Sequence, residues 1–485
     1  MERMNAPTRG RLLIGGQWQD SARVEPNLNP SDLSDVIGHY AWASVAQAEA
    51  ALAAARNAFP AWSRSNPQGR SDLLRRAGDA LRARADTLGT LLAREEGKIL
   101  AEARNEVIRA AQIFEFYAGE CLRHPGGFFR SIRDGFNIIV DHEPLGVVSL
   151  ITPWNFPVAT PAWKIAAALA YGNTIVLKAS EVTPACAVAL AEILIEAGVP
   201  AGVFNLLLGS GAELGDTLIA GADGVSFTGA TPTGRSVLER AARTMTKVQL
   251  ELGGKSPLVV LDDADLEQAV EVALDGAFRQ TGQRCTASSR LIVTRGIHDA
   301  FVERLAGRVR AIQVGHALDP RSEIGPVANE AQLAKDLYYV AEARREGAEL
   351  LCGGERLERP TRGYYLAPAL FANTTNRMRL NREEVFGPVS AIIRADDLDE
   401  AIAIARDTDY ALSSAICTRN LAAAEQFRRA ARAGMVVVNA PTSGAEYHVP
   451  FGGHRPSGYG AREQGTAAAD FYTEIKTTYV NHGVV

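Results

Sequence analysis

The sequence predicts an α/β protein with two open, parallel-sheet domains and a small β-arm. Three observations carry this. The chain has 485 residues, enough for two or three domains at roughly 150 residues each. From Val147 onward, short apolar runs alternate with helical segments, the pattern of parallel strands joined by right-handed crossovers. The alternation restarts after Leu252-Gly253-Gly254, which sets a second α/β unit behind the first.

Roughly the first hundred residues read as helices. Ser44 caps an Ala-rich run over 45–59, and helical stretches over 67–93 and 95–118 follow, interrupted by Gly97 and Gly119. An isolated strand over 137–142 ends at the Pro144-Leu145-Gly146 turn. Strands 147–151, 174–177, 203–207 and 224–227 then alternate with helices 162–171, 184–197, 211–220 and 232–242. In the second half the strands are 258–261, 290–294, 389–393, 414–417 and 435–438. Its helices are 266–277, 298–312, 330–346, 399–406 and 421–433. No Pro/Ser-rich linker and no repeat separates the halves, so Gly253-Gly254 reads as a tight hinge. A last strand, 476–480, is expected to pair with 137–142 as an arm outside both domains. Such an arm exposes strand edges and suggests a homodimer or homotetramer.

Composition excludes several classes. Hydrophobic residues at 47% and charged residues at 22% are those of a soluble globular chain, not a disordered one. Lys plus Arg is 51 and Asp plus Glu 56, a net charge of −5, which argues against nucleic acid but permits a small anionic substrate. Five scattered cysteines form no disulfide framework and point to a reducing compartment. Residues 1–11 lack a secretion signal, and the greasiest stretch, 159–170, carries Lys164 and is too short for a bilayer. A cytoplasmic protein without membrane contact is expected. No His/Cys pair has ligand spacing, so no metal is expected.

Cys121, Cys186, Cys352 and Cys417 read as packing residues. Cys285 lies in the polar Thr281-Gly282-Gln283-Arg284-Cys285-Thr286, where Arg284 is expected to lower its pKa from an ordinary value of about 8.5. Alone, such a cysteine is either structural or a nucleophile. Among the histidines only His448 and His454 come near a suitable setting. Glu251, in Leu250-Glu251-Leu252-Gly253-Gly254-Lys255, is the stronger candidate base, or else a plain strand-end carboxylate. In Thr152-Pro153-Trp154-Asn155-Phe156-Pro157 two prolines fix a turn from which the Asn155 amide can donate to an oxyanion, or which is merely rigid. Three strand ends could hold a dinucleotide. They are Leu177-Lys178-Ala179-Ser180-Glu181, the helix start at Phe227-Thr228-Gly229-Ala230-Thr231, and, more weakly, Gly209-Ser210-Gly211.

With Glu384-Val385-Phe386-Gly387-Pro388, Gly282–Cys285 and the glycine-rich 450–453, these segments resemble the aldehyde dehydrogenase superfamily over almost the whole chain. The resemblance implies a dinucleotide-binding domain from 1–120 and 145–252, a catalytic domain over 253–455, and an oligomerisation arm from 121–144 and 456–485. It implies that Cys285 attacks the aldehyde to give a thiohemiacetal, with the oxyanion held by Asn155 and the Cys285 N–H. Hydride loss to the nicotinamide then leaves a thioester, and Glu251 activates water to release the acid. Lys164, nine residues beyond Asn155, would support Glu251 and the proton path. Relatives that hand the acyl group to coenzyme A tend to lack this Glu, so its presence favours hydrolysis.

For the cofactor the resemblance implies Thr152, Pro153, Trp154, Lys178, Ser180, Glu181, Gly211, Phe227, Thr228, Gly229, Ala230, Leu252, Glu384 and Phe386. Glu181 suits the 2′-hydroxyl of NAD while Lys178 and Ser180 suit the 2′-phosphate of NADP. Dual use with NADP favoured is therefore expected. Many relatives carry Ser where this chain has Ala230, so one hydrogen bond to the pyrophosphate, about 1 kcal/mol, is missing.

The substrate tunnel would be lined by Phe156, Thr160, Trp163, Arg284, Thr286, Ala445 and Phe451, with Arg284 clamping a distal anionic group. Asn439-Ala440-Pro441-Thr442, Tyr447-His448-Val449-Pro450-Phe451-Gly452-Gly453 and Ala461-Arg462-Glu463-Gln464-Gly465 are similar to 2-oxoglutarate semialdehyde (2,5-dioxopentanoate) dehydrogenases. Gly282-Gln283-Arg284-Cys285-Thr286-Ala287 also occurs in a non-phosphorylating glyceraldehyde-3-phosphate branch. The alternatives are another semialdehyde, a glyceraldehyde-type or an aromatic aldehyde, and, in a different class, a non-catalytic binding or structural protein on the same fold.

Overall fold

A computed structural model describes residues 8–123 and 126–483; expectations that fall on 1–7, 124–125 and 484–485 lie outside the described residues. The alternation beginning at Val147 builds an eight-stranded sheet. From one edge its order is Gly458–Tyr459, Lys247–Glu251, Gly224–Thr228, Val147–Ile151, Thr174–Lys178, Phe204–Leu207, Leu12–Ile14 and Gln17–Gln19. The five middle strands run parallel and the outer ones antiparallel. Val147–Ile151 and Thr174–Lys178 are buried at every position because helices cover both faces, so they read as continuous apolar runs. Strand order reverses at Val147–Ile151, whose neighbours are Thr174–Lys178 on one side and Gly224–Thr228 on the other. A crevice opens at the carboxyl ends of strands at such a switch point.

Past Gly254 a seven-stranded sheet follows, in the order Glu349–Cys352, Ala369–Ala372, Val389–Ala395, Ser288–Thr294, Ser256–Val260, Ser413–Cys417 and Met435–Val438. Only the first pair is antiparallel. Helix Ala159–Ala170 is buried on every side except at Trp163, as its largely apolar sequence favours, with Lys164 buried among the apolar residues. Truncating a buried residue such as Leu169 to Ala would cost about 2–5 kcal/mol.

The N-terminal stretch departs from the helical expectation. Strands Thr8–Gly10, Leu12–Ile14, Gln17–Gln19, Arg23–Asn29 and Asp32–Trp42 precede the first helix, Val45–Trp62. Gly15 and Gly16, at φ 61° and 81°, form the two-residue turn between the second and third strands, a Gly-Gly hairpin signal the Ala-rich run overshadowed. The stretch 67–93 is two helices, Pro67–Ala83 and Ala85–Glu96, broken at Arg84, and Gly97 closes the second at φ 99°. Gly119 interrupts nothing: helix Leu100–Glu120 runs through it. Strands Glu349–Cys352 and Ala369–Ala372 had no clear sequence signal.

The arm pairs Thr473–Asn481 antiparallel with Phe136–Pro144, Lys476 facing Asp141 and Val480 facing Asn137, and a third strand, Gly126–Arg130, completes it. Segment 456–485 is divided, however. Gly458–Tyr459 pairs with Leu250 and Glu251 in the large sheet. Gly253 and Gly254 are absent from the positive-φ glycines, and both are required for space rather than for a turn. A Cβ on Gly253 would lie 2.4 Å from Glu384 Oε2, and one on Gly254 would lie 2.2 Å from the Cys285 carbonyl oxygen.

Candidate active site

A cavity of about 1360 Å³ runs from the carboxyl ends of the first sheet to the loop before strand Ser288–Thr294. Every residue assigned above to catalysis, cofactor or substrate lines it, with the single exception of Lys164.

The loop carrying Cys285 is held in an unusual backbone state. Gln280, Thr281 and Gly282 have φ of 52°, 55° and 67°, a left-handed run that costs a non-glycine residue on the order of 1–3 kcal/mol. Tertiary contacts hold it there. The Gln280 N–H donates to Glu102 Oε1 at 3.0 Å, Thr281 Oγ1 donates to the Gly325 carbonyl at 3.1 Å, and Gln283 Oε1 accepts from the Ala328 N–H at 2.9 Å. Only Gly fits at position 282, where a Cβ would stand 2.2 Å from the Gly387 carbonyl oxygen. Cys285 itself is half-buried.

Asn155 follows strand Val147–Ile151 in the proline-bounded turn and is 5% exposed. Its amide donates to the Gln283 carbonyl at 3.0 Å, and the second N–H of the group remains for a ligand. A buried network holds Asn155 from behind. Lys98 Nζ donates to the Asn155 carbonyl and to Glu106 Oε2, both at 2.7 Å, and Glu106 Oε1 accepts from the Val158 and Ala159 N–H groups at 2.9 and 3.0 Å. Lys98 and Glu106 were missed from sequence. They sit on a surface-like charged stretch, and only the distant Asn155 reveals their purpose.

Glu251 ends strand Lys247–Glu251 and is 3% exposed, with Oε2 lacking a hydrogen-bond partner. Burial holds its carboxyl well above the ordinary range and Glu463 adds to the rise, while Lys164 and Arg462 oppose it. Lys164, fully buried, donates to Ser226 Oγ at 2.7 Å and to Glu463 Oε1. Glu463 is therefore part of this group, although the sequence reading gave it no role. Lys164 acts on Glu251 by its charge, from behind the cavity wall.

Arg284 departs from one of its expected duties. The Cys285 thiol is pushed up to about 12, by burial first and then by Glu384 and Glu251, so Arg284 does not produce a low-pKa thiolate. Its guanidinium donates to the Asp275 carbonyl and, at 3.4 Å, to that of Gly276, with the Asp275 carboxylate 3.8 Å away. Arg284 lines the cavity with its Nε buried and without a partner, while one terminal nitrogen is taken by the two carbonyls and its charge is shared with Asp275 and nearby Glu102.

The remaining wall fits a dinucleotide. Helix Thr231–Thr244 starts at Ala230 without a side-chain cap, leaving first-turn N–H groups for an anionic diphosphate. Thr152 Oγ1 and Thr228 Oγ1 are buried without partners. Lys178 Nζ lies 3.2 Å from Glu181 Oε2 and donates to the Gly209 carbonyl at 3.3 Å. Glu384 Oε1 accepts from the Gly254 N–H at 2.8 Å, and Phe386, at φ 68°, sets its ring edge-on to Trp154 at 5.4 Å. Among the described residues no cluster of three His, Cys, Asp or Glu could hold a metal ion, and no helix is long and apolar enough to cross a membrane.

The chain is similar to known proteins over most of its length. The chain is 42% identical over 96% of its length to the alpha-ketoglutaric semialdehyde dehydrogenase of Bacillus subtilis, 97% of which is covered. It is 44% identical to a betaine aldehyde dehydrogenase of Cereibacter sphaeroides over 91% of each chain. The crystal structure of betaine aldehyde dehydrogenase from Staphylococcus aureus in complex with NAD+ superposes with a TM-score of 0.96 at 34% identity, covering 99% of this chain and 96% of that one. The sequence model described as "Aldehyde dehydrogenase family" matches residues 18–478. A half-buried thiol, a spare amide N–H, a buried carboxylate and an uncapped helix start thus line one cavity in a chain that belongs to the aldehyde dehydrogenase family.

Proposed function

We propose that the protein oxidises a short anionic aldehyde, 2-oxoglutarate semialdehyde above all, to the free carboxylic acid. One observation carries the reading: a single cavity is lined by Cys285, Asn155, Glu251 and a wall suited to a dinucleotide. The Cys285 sulfur forms a bond to the aldehyde carbon as its proton passes to solvent water. The oxygen gathers negative charge against the Asn155 amide and the Cys285 N–H, where fixed donors in a dry site are most effective. A nicotinamide dinucleotide, when bound, supplies the acceptor for the hydride lost from that carbon. Glu251 then takes a proton from water as its oxygen attacks the resulting thioester, and the sulfur leaves as the acid forms. Lys178, Ser180 and Glu181 would hold the adenosine ribose. The start of helix Thr231–Thr244, with Gly229 and Ala230 before it, would hold the diphosphate, while Glu384 and Phe386 would hold the nicotinamide end.

The anionic substrate is supported by the semialdehyde relatives and by the arginines lining the cavity. A panel of semialdehydes, uncharged aldehydes of equal length and betaine aldehyde, assayed by nicotinamide reduction, tests it. The acid-bearing aldehydes should give the highest kcat/KM, and preference for an uncharged or cationic one would overturn the reading. For the cofactor we infer dual use with NADP preferred. Glu181, 45% exposed, can turn from the 2′-position and leave Lys178 and Ser180 to a phosphate. A strict NAD enzyme would contradict this.

Residues 1–120 with 145–252 are assigned to cofactor binding, 253–455 to catalysis, and the arm to assembly of a homodimer or homotetramer. Exposed Phe128, Phe129 and Ile475 on the arm support that assembly. Five unpaired cysteines suit a reducing cytoplasm.

A further inference from the structure

We infer that Arg109, and not Arg284, is the residue that recognises the distal carboxylate of the substrate. The inference rests on the anionic-aldehyde reading and adds the recognising residue to it.

Arg109 lies on helix Leu100–Glu120, one face of which enters the cavity at Glu102, Glu106, Arg109 and Ile113, three and four residues apart. The first two have local duties: Glu102 anchors the Cys285 loop through Gln280, and Glu106 anchors the turn carrying Asn155. Arg109 follows one turn later, further from the nucleophile loop, where the far end of a short substrate would lie. Seven residues separate it from Glu102, roughly 10 Å of helix, and helical side chains lean back towards the N-terminus.

The three arginines on this side of the cavity are not equivalent. Arg284 is bonded to two backbone carbonyls and faces Asp275 and Glu102. Arg279 donates to the Glu323 carbonyl at 3.3 Å, and its charge is shared with Glu102. Arg109 has no hydrogen-bond or ion-pair partner among the described residues. Its guanidinium stands 5.5 Å from the Tyr447 ring centroid, a contact that orients the plane without using its donors. Among the described residues the carboxylate acting on it is that of Glu446, an exposed side chain 3.5 Å from His448, with a smaller contribution from Tyr447. Partial burial already disfavours the Arg109 charge. A carboxylate entering the tunnel would restore the missing partner through two parallel N–H···O bonds. A trimethylammonium group would instead meet a like charge.

The test compares Arg109→Ala, Arg109→Lys and Arg279→Ala with the parent enzyme, using 2-oxoglutarate semialdehyde and an uncharged aldehyde of equal length. For Arg109→Ala the ratio of kcat/KM for the acid over the uncharged aldehyde should fall ten- to a hundredfold, with the change in KM and not kcat. Arg109→Lys should recover part of it. Binding of glutarate, an unreactive dicarboxylate, should weaken in parallel by calorimetry. An Arg109→Ala enzyme that keeps the parental ratio and glutarate affinity overturns the inference, as does Arg279→Ala carrying the loss instead. If the parent itself shows no preference for the acid, the substrate reading falls first, a result distinct from either.

Discussion

Burial raises the Glu251 carboxyl, and the buried Glu463 and Lys164 tune when it can accept a proton. Lys164 is bonded to Glu463 and Ser226, and Glu463 raises the Glu251 carboxyl while Lys164 lowers it. Glu463→Gln keeps the shape, removes the neighbouring negative charge and leaves Lys164 uncompensated, so both effects drive the Glu251 pKa down. A unit charge at contact range in such a site moves a carboxyl by about 1–3 units, at about 1.4 kcal/mol each. The assay is single-turnover decay of the acyl-enzyme followed against pH. Its acid limb should move to lower pH by about 1–3 units in Glu463→Gln. In Lys164→Met the limb should move upward, and the fold should lose about 3–5 kcal/mol because two buried carboxylates lose their counter-ion. Limbs that stay in place, or that move the same way in both variants, would refute the reasoning.

Ala230→Ser should tighten the cofactor about fivefold, one neutral hydrogen bond, by fluorescence titration; an unchanged Kd would show that the helix start does not meet the diphosphate. Gly282→Ala places a Cβ 2.2 Å from the Gly387 carbonyl oxygen in a left-handed backbone, so calorimetry should show a loss of about 2 kcal/mol or more together with a lower kcat. A variant with parental melting and turnover would contradict that account. Because the Cys285 thiol is pushed up to about 12, it is protonated at neutral pH, and its alkylation by iodoacetamide should accelerate steadily as pH rises into the alkaline range. A rate already level at neutral pH would indicate a resting thiolate.

What could be read in the chain followed from local rules. Prolines at 153 and 157 mark the rigid turn of Asn155, Gly282 marks the constrained loop before Cys285, and the β–α rhythm from Val147 marks the first parallel sheet. What escaped depends on contacts between distant segments. Lys164 meets Glu463 across 299 residues, and Lys98 meets Asn155 across 57, so no periodicity or spacing joins them. Arg284 misled for a related reason: adjacency to Cys285 in the chain says nothing of side-chain direction, and its guanidinium turns to the Asp275 and Gly276 carbonyls. The N-terminal strands were hidden because Val24, Leu28 and Val36 are exposed on a surface sheet, which blurs the alternation a half-buried strand would show.

The central claim, that the sulfur of residue 285 carries the acyl group, is tested most directly by intact-protein mass spectrometry of Glu251→Gln. This variant should stall after the thioester forms. Mixed with semialdehyde and oxidised cofactor, it should gain the mass of one acyl group, which peptide mapping assigns to Cys285. Gain of that mass at another residue, or its persistence when Cys285 is replaced by Ser, would contradict the mechanism.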